Sequence, residues 1–386
     1  MAALDKSAAT PATVDKAPAP LVLAGVMSLS APATDPALLA SLFQPLRLSD
    51  VLTLKNRIVL APCTRNCADP GLVPTAGAAD YYVERAAAGL LVTEATLITQ
   101  HCQGYRDTPG IYTEAQVRGW RRVTDRVHAA GGAIFSQLWH VGRLAHPYYT
   151  GVPAVCPSAV PTEGLCHQVR GVVLNYMPVR SLDASEIRRL VRTYLDAALN
   201  AMAAGFDGVE LHGGNGYLID QFLRQTTNKR YDRYGGRIED RARFAIEVTD
   251  AIAGRIGPER VAMRLSPAAY FGLMDYTPGD EETLIHLLQN LSQRRLAYVH
   301  LALHDDHQVY GYLKGRASAF LRRHYRGTLI GNGGYKPAEA AAAVGAGQFD
   351  LAAFGRLFIA NPDFVERLRL GSELRSYERG LLELFR

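Results

Sequence analysis

Gly-Val-Glu-Leu-His-Gly-Gly-Asn-Gly-Tyr-Leu-Ile-Asp-Gln-Phe, residues 208–222, is the stretch from which the fold and the site are both inferred. A mostly apolar run ends abruptly at His212, glycines bracket Asn215, and Tyr217 follows. This is typical of a buried strand that ends at a site, because glycine has no Cβ and lets ligand and backbone approach closely. His212 and Asn215 can each donate a hydrogen bond, and Tyr217 is protonated at neutral pH and can act as an acid.

The same residues are also compatible with a plain tight turn. Glycine and asparagine are common turn residues, and Tyr217 could then be a core aromatic with a satisfied hydroxyl. The residues that follow the other predicted strands distinguish the two interpretations.

The composition is ordinary for a soluble globular protein. The chain has 386 residues, 48% of them hydrophobic and 20% charged, and a single α/β barrel can reach this length. A formal net charge of +5 without a concentrated basic run gives little support for nucleic-acid binding. The apolar run at residues 21–29 is far short of the ~20 residues of a membrane helix. We expect no nucleic-acid or membrane partner, and a monomer or homodimer.

The five cysteines are not arranged as a disulfide framework or a metal site. Their number is odd and no two form a Cys-x-x-Cys pair, which argues against disulfides, zinc and iron–sulfur clusters and favours a reducing compartment. The residues are Cys63, Cys67, Cys102, Cys156 and Cys166.

Residues 1–40 differ in composition from the rest of the chain. They are rich in Ala, Pro, Ser and Thr and lack an amphipathic period, which predicts a disordered extension before a folded domain at residues 41–386. Asp5 and Asp15 disfavour a signal peptide. A plastid transit peptide fits the composition somewhat better, although the segment has no arginine. A tail without a targeting role is a further alternative. We therefore expect a cytoplasmic protein, or a plastid protein if the extension is a transit peptide.

Eight apolar segments in the folded part are predicted to be strands. Most are continuous apolar runs, as expected when helices cover both faces of a parallel sheet. They are Arg57–Pro62, Leu90–Thr96, Ala133–His140, Gly208–Gly213, Val261–Pro267, Tyr298–Leu303, Thr328–Gly333 and Leu351–Arg356.

Helical periodicity occupies most of the segments between these strands. The clearest helix is predicted at Ala184–Ala204, with Asp183 or Ser185 as its cap and Gly205 after its end. Others are predicted at Glu239–Ile256, Glu281–Arg295, Pro337–Gly345, where Gly345 ends the helix, and Pro362–Leu370. Eight β/α repeats predict a closed (β/α)8 barrel, a TIM barrel. The alternative is an open doubly wound sheet. It is disfavoured because the sequence has no Gly-x-Gly-x-x-Gly after the first predicted strand, which is the usual fingerprint of that fold.

Polar residues follow nearly all the predicted strands. Gly333-Gly334 and Gly355-Arg356 each precede a helix, a pattern with which such barrels bind phosphate through bare backbone amides and a guanidinium. Donors and acceptors suited to a planar heterocycle come from Thr64, Gln137, Arg264 and the backbone of Ala95. Flavin mononucleotide, FMN, fits both sets of residues, since it carries a phosphate at one end and a planar heterocycle at the other. The residues 141–182 and 223–237 are too long for simple connections and should cover the mouth of the barrel.

Five segments resemble the old yellow enzyme family, and most closely its plant-type 12-oxophytodienoate reductases. The resemblance extends from about residue 42 to residue 377. It is carried by Leu-Ala-Pro-Cys-Thr-Arg at 60–65, Thr-Glu-Ala-Thr at 93–96, Gln-Gly-Tyr-Arg-Asp-Thr-Pro-Gly-Ile at 103–111, Gln-Leu-Trp-His-Val-Gly-Arg at 137–143 and His-Gly-Gly-Asn-Gly-Tyr at 212–217.

The resemblance implies an FMN enzyme that uses NADPH to reduce carbon–carbon double bonds conjugated to a carbonyl. The substrates would be enones, with 12-oxophytodienoate-like oxylipins among the candidates. By the resemblance, Pro62, Cys63 and Thr64 would line the flavin. Its ring and ribityl chain would be held by Ala95, Gln137 and Arg264. Its phosphate would be bound by Gly334, Gly355 and Arg356.

For the substrate, the resemblance implies that His212 and Asn215 hold the carbonyl oxygen. Hydride would pass from flavin N5 to the β-carbon, and Tyr217 would give a proton to the α-carbon. Two stretches depart from the family pattern: the chain lacks the usual aromatic tail beyond Tyr377, and residues 303–310 lack an arginine found in plant enzymes.

Two other functions are compatible with the residues. One is a flavin-binding protein with little turnover. The other is a phosphate-sugar aldolase or isomerase on the same barrel, which would be colourless.

Overall fold

The folded part of the chain starts slightly before the predicted boundary at residue 41. The computed structural model describes residues 35–162, 165–169, 172–268 and 277–378. The segment Pro36–Phe43 is a 3-10 helix capped by Asp35, and its Leu39 and Leu42 are fully buried. Residues 36–40 therefore belong with the domain, whereas residues 1–34 of the predicted extension lie outside the described residues.

Eight parallel strands of the described chain close into a barrel, as predicted. Each strand pairs with the next in the chain, and the last pairs with the first. The strands are β1 (Ile58–Leu60), β2 (Leu90–Val92), β3 (Ile134–Trp139), β4 (Gly208–Gly213), β5 (Val261–Leu265), β6 (Tyr298–Leu301), β7 (Leu329–Gly331) and β8 (Leu351–Phe354).

Several strands are shorter than predicted at their carboxyl ends. The polar residues there belong to loops that turn toward the mouth of the barrel. The predicted strand Leu90–Thr96 is interrupted after Val92, and a separate short strand, Thr96–Leu97, begins at its last residue and pairs with β3. The backbone N–H of Glu94 donates to the Tyr82 hydroxyl at 2.9 Å instead of to a neighbouring strand.

The barrel helices follow the strands in alternation, and the predicted ones agree to within two residues at each end. They are α1 (Ala76–Val83), α2 (Glu114–Ala129), α3 (Ala184–Ala203), α4 (Ile238–Ile256), α5 (Asp280–Gln293), α6 (Ala317–His324), α7 (Pro337–Gly345) and α8 (Phe364–Leu370).

The helix ends show which of the predicted caps are used. The Asp183 carboxylate, rather than Ser185, caps α3 by accepting from two backbone amides, and Glu186 completes a capping box. Gly205 follows α3 with a left-handed φ of 86°. Helix α7 ends at Gly345 as predicted, but the left-handed residue after it is Gly347, with a φ of 69°.

Short elements decorate the two ends of the barrel. The long segment after β3 contains Gly142–Leu144, Pro147–Thr150, the paired strands Val155–Cys156 and Arg180–Ser181, and the hairpin Leu165–Val169 with Val172–Asn175. After β4 and β8 come the short helices Leu218–Leu223 and Arg356–Ala360. Within the described ranges, none of the helices is long and apolar enough to cross a bilayer.

The amino ends of the strands are closed by apolar packing. A hairpin of Leu46–Arg47 and Thr53–Leu54 precedes β1. Its Leu48 and Leu54 belong to one buried cluster with Phe135 and other side chains from the barrel strands. Because side chains fill the amino end of the barrel, a ligand would have to enter from the carboxyl end.

Candidate active site

A cavity of about 510 Å³ opens at the carboxyl ends of the strands. Its volume is in the range of small-molecule and cofactor sites. All the residues predicted for a site line it except Gly333. The lining includes Pro62, Cys63, Thr64, Ala95, Gln137, His212, Asn215, Tyr217, Arg264, Gly334, Gly355 and Arg356.

Gly333 has a structural place beside the cavity rather than in its wall. Its φ is 154°, and a Cβ added there would lie 2.4 Å from the Cβ of Asp306. Its carbonyl accepts a hydrogen bond from the Asp306 backbone N–H at 3.0 Å. Gly333 therefore allows the loop after β7 to pack on the loop after β6, and Gly334 is the glycine that reaches the cavity.

The loop after β4 presents Asn215 in a constrained conformation. Asn215 has a left-handed φ of 57°. Its backbone N–H donates to Ser266 Oγ at 2.9 Å, and the same Oγ lies 2.9 Å from Asn215 Oδ1 and from the Ala302 carbonyl oxygen. A Cβ on Gly214 would lie 2.5 Å from Ser266 Oγ, so only glycine permits this approach. Ser266, which sequence reasoning did not select, holds both the backbone and the amide of Asn215.

His212 is buried in the cavity wall and is held neutral. Burial, followed by the nearby Arg264 and His300, lowers the pKa of His212 well below its ordinary value. A neutral imidazole offers one N–H donor. Among the described residues, Nδ1 of His212 has no hydrogen-bond partner. His212 can thus donate to a ligand without carrying a charge into the cavity.

Tyr217 lies in a box of aromatic rings. Its ring contacts Trp139 and His212 edge-on, with centroid distances of 4.9 Å and 4.8 Å. Its hydroxyl donates to the hydroxyl of Tyr105 at 3.2 Å, and Tyr105 packs on Trp139 at 5.2 Å. Tyr105 and Trp139 lie in segments that carry the family resemblance, but the sequence assigned neither a role.

Gln137 and Arg264 both line the cavity. Gln137 Nε2 donates to Glu210 Oε1 at 2.6 Å, and the Gln137 backbone N–H donates to Thr93 Oγ1 at 3.0 Å. Within the part of the chain that the structure describes, Nε of the buried Arg264 has no hydrogen-bond partner. Buried polar atoms are rarely left without partners, so this donor points to a ligand.

A buried ion pair joins the ends of β1 and β2. The Arg65 guanidinium pairs with the Glu94 carboxylate, which also accepts from the Arg65 backbone N–H at 3.1 Å. The guanidinium also lies over the ring of Tyr81, 4.3 Å from its centroid. The pair fixes Thr64 and its neighbours against Ala95. Sequence reasoning placed Arg65 and Glu94 at strand ends but did not foresee their contact.

Cys63, close in sequence to this ion pair, is a half-buried thiol. Its pKa is raised, mainly by burial, and Glu94 adds to the effect. The thiol is therefore protonated at neutral pH and contributes to the wall of the cavity as a neutral group.

The far end of the cavity is lined by bare backbone and a guanidinium. A Cβ on Gly334, where φ is 75°, would lie 3.2 Å from the His304 carbonyl oxygen and 3.8 Å from Arg356 Nη2. A Cβ on Gly355 would lie 3.0 Å from Cys63 Sγ. This end fits a phosphate, and the amide of Gln137 and the guanidinium of Arg264 fit the polar edge of a planar ring, so the residues present fit FMN.

One stretch that departs from the family pattern, residues 303–310, reaches the cavity, and so does Tyr377, which precedes the other. Leu303 and His304 follow β6 and line it, and Tyr377 lines it from the carboxyl-terminal part of the chain. Burial and the charge of Arg356 lower the pKa of His304. Residues 303–310, which lack the arginine of the plant enzymes, therefore supply the imidazole of His304 close to Arg356. Among the described residues, no cluster of His, Cys, Asp or Glu could hold a metal ion.

Residues 41–375 match the family described as NADH:flavin oxidoreductase / NADH oxidase. The chain is 40% identical over 361 residues to 12-oxophytodienoate reductase 7 of Oryza sativa subsp. japonica, with 88% of this chain and 90% of the relative covered. Its structure resembles that of an old yellow enzyme homologue from Zymomonas mobilis, with a TM-score of 0.83, 39% identity and coverage of 89% and 96%. It also resembles morphinone reductase in complex with tetrahydroNAD, with a TM-score of 0.81, 42% identity and coverage of 89% and 94%.

Proposed function

Because the chain belongs to the NADH:flavin oxidoreductase / NADH oxidase family and is an enzyme of the old yellow enzyme type, we propose that it is an FMN-dependent ene-reductase. It uses NADPH to reduce the C=C bond of α,β-unsaturated carbonyl compounds. The observation that carries this proposal is the convergence of two hydrogen-bond donors, His212 and Asn215, and one acid, Tyr217, in the cavity whose other walls fit FMN.

The residues that would hold FMN in this proposal all line the cavity. Thr64, the backbone of Ala95, Gln137 and Arg264 would hold the ring. Gly334, Gly355 and Arg356 would hold the phosphate through backbone amides and a charge-assisted contact. When bound, FMN supplies the hydride that adds to the β-carbon of the substrate.

His212 and Asn215 hold the carbonyl oxygen of the substrate. Negative charge develops on this oxygen as the β-carbon is reduced, and two fixed donors stabilise it more strongly than they stabilise the neutral carbonyl. Loss of one such donor costs about 10²–10³ in rate in comparable sites. The neutral state of His212 keeps its donor available over the whole physiological pH range.

Tyr217 holds the proton that the α-carbon receives. The hydrogen bond to Tyr105 and the contacts with Trp139 and His212 restrict the ring to one orientation. The phenolic proton can rotate from Tyr105 toward the substrate without movement of the ring.

The choice of NADPH over NADH is a separate part of the proposal. The family name and the tetrahydroNAD complex of morphinone reductase support a nicotinamide reductant. The name of the rice relative supports cyclic oxylipin enones among the substrates. Comparison of kcat/KM for NADPH and NADH, at a saturating enone concentration, tests the reductant.

The visible spectrum of the purified protein tests the function itself. We expect a yellow protein that releases FMN, and not FAD, on denaturation, and that NADPH bleaches until cyclohexenone restores the colour. A yellow protein without NADPH consumption in the presence of enones would instead indicate a flavin-binding protein. A folded protein that stays colourless after incubation with FMN would contradict the proposal and favour an aldolase or isomerase.

A further inference from the structure

Glu210 is a fully buried carboxylate inside the barrel that the chemistry above does not use. It lies on β4, opposite Gln137 of β3 in the sheet register. Its Oε1 accepts from Gln137 Nε2 at 2.6 Å, and its Oε2 lies 2.8 Å from Nδ1 of the buried His300 on β6. His300 in turn lies opposite Arg264 of β5. Glu210 thus contacts a residue of the cavity wall from behind.

The carboxylate of Glu210 is charged. Burial alone would raise its pKa, but His300, Arg264 and the hydrogen bond from Gln137 outweigh burial and bring the pKa of Glu210 below its ordinary value. Burial lowers the pKa of His300, although the charge of Glu210 and the hydrogen bond to it oppose this effect. The carboxylate of Glu210 thus lies close to two basic groups, His300 and Arg264. Burial of a charge costs desolvation free energy, so a charged Glu210 at this position suggests a functional role.

The contact with Glu210 also determines which atom of Gln137 the cavity meets. An ionised carboxylate can only accept hydrogen bonds, so the amide NH2 of Gln137 must face Glu210. The amide therefore cannot exchange its N and O positions, and Oε1 is left for a ligand in the cavity that Gln137 lines. An isoalloxazine ring carries an N–H donor, N3, between two carbonyl groups, and that N–H needs an acceptor.

We propose that Glu210 is a positioning residue that fixes Gln137 as a hydrogen-bond acceptor for the flavin ring and that its charge lowers the flavin reduction potential. The inference rests on the proposed binding of FMN. The two effects have separate causes: the first depends on the hydrogen bond, and the second depends on the charge.

The sign of the second effect follows from charge balance. Reduction at neutral pH adds two electrons and one proton to the flavin, so the reduced ring carries a negative charge. A carboxylate beneath the ring disfavours that charge, whereas Arg264 favours it. Removal of the Glu210 charge leaves Arg264 unbalanced and stabilises the reduced flavin.

Glu210→Gln tests both effects with little change of shape. A neutral amide can donate as well as accept, so Gln137 is no longer held in one orientation. We expect FMN to dissociate about 10-fold more readily, as for the loss of one buried hydrogen bond. We also expect the flavin reduction potential, measured against a reference dye, to shift to a more positive value.

Glu210→Asp separates the two effects and serves if Glu210→Gln does not fold. The shorter side chain keeps the charge but withdraws from Gln137, so FMN affinity should fall while the potential stays close to that of the wild type. Asp280→Asn is a matched control, since Asp280 is a buried carboxylate that accepts from the Gln225 backbone N–H at 3.0 Å and does not line the cavity. Asp280→Asn should change neither the FMN affinity nor the flavin reduction potential.

The outcomes separate this inference from the function on which it rests. A wild-type protein that does not bind FMN would contradict the proposed function. A wild-type protein that binds FMN, together with a folded Glu210→Gln variant of unchanged affinity and unchanged potential, would overturn the role of Glu210 alone.

Discussion

The hydroxyl of Tyr217 donates a hydrogen bond to the hydroxyl of Tyr105 across 3.2 Å. The two residues come from loops after β4 and β2, and both rings pack on Trp139. Tyr217 is therefore oriented by a partner more than 100 positions away in the chain. The pair suggests a division of roles in which Tyr217 gives the proton and Tyr105 holds Tyr217 in place.

Tyr105→Phe should slow enone reduction by about 10-fold or less, because it removes one neutral hydrogen bond and keeps the ring. Reduction of the flavin by NADPH should be unaffected, since that step needs no proton from Tyr217. Stopped-flow measurement of each half-reaction provides the test. A loss as large as that of Tyr217→Phe would mean that Tyr105 takes part in the proton transfer itself.

Arg356→Ala should weaken FMN binding by about 10- to 100-fold, because it removes a charge-assisted contact to the phosphate. Riboflavin, which lacks the phosphate, provides the control, and its weaker affinity should not change. Fluorescence titration of the apoprotein measures both ligands. Equal FMN affinity in variant and wild type would place the phosphate elsewhere in the cavity.

The double variant His212→Ala with Asn215→Ala should weaken the binding of phenols and enones by about 10- to 100-fold, since both donors to the ligand oxygen are removed. Ser266→Ala should cause a smaller loss, because it frees the Asn215 side chain but keeps its amide. Titration of the flavin absorbance with a phenol measures binding without turnover. Unchanged phenol affinity in the double variant would show that the oxygen binds to other groups.

His140 should make the folded state sensitive to acid. Burial, with a smaller effect of His101, lowers the pKa of His140 to about 3, against about 6.5 in an unfolded chain. The unfolded state then binds more protons below pH 6.5, so stability falls as the pH drops from about 6.5 toward 3. At pH 5.5 the loss from this one group is about 1.4 kcal/mol.

His140→Asn isolates this contribution. Nδ1 of His140 accepts from the Gly142 N–H at 3.0 Å, and the asparagine oxygen can replace it without titrating. Between pH 7.5 and 5.5 the variant should lose about 1.4 kcal/mol less unfolding free energy than the wild type. Urea unfolding at the two pH values measures the difference. Parallel losses in both proteins would contradict a neutral buried His140.

The fold could be predicted because its signals are local. The strand Gly208–Gly213 and the helix Pro337–Gly345 agree with the structure at both ends, since apolar runs and glycines mark them in the sequence. The polar residues after the strands were gathered into one cavity because all strands of a parallel barrel end on the same side.

The contacts that orient the site could not be predicted in the same way. Ser266 holds Asn215 and Glu210 holds Gln137 because of the register between neighbouring strands, which no local pattern reveals. Gly333 was assigned to the phosphate as one of two adjacent glycines. Its packing against Asp306 depends on the path of another loop.

The most direct test of the account is Tyr217→Phe, followed through both half-reactions by stopped flow. Flavin reduction by NADPH should stay near the wild-type rate, and reoxidation by oxygen should also be unaffected, because neither uses the phenolic proton. Reoxidation by cyclohexenone should slow by about 10²–10⁴, as for the loss of a general acid. If cyclohexenone reoxidises the variant flavin as fast as the wild type, Tyr217 is not the acid.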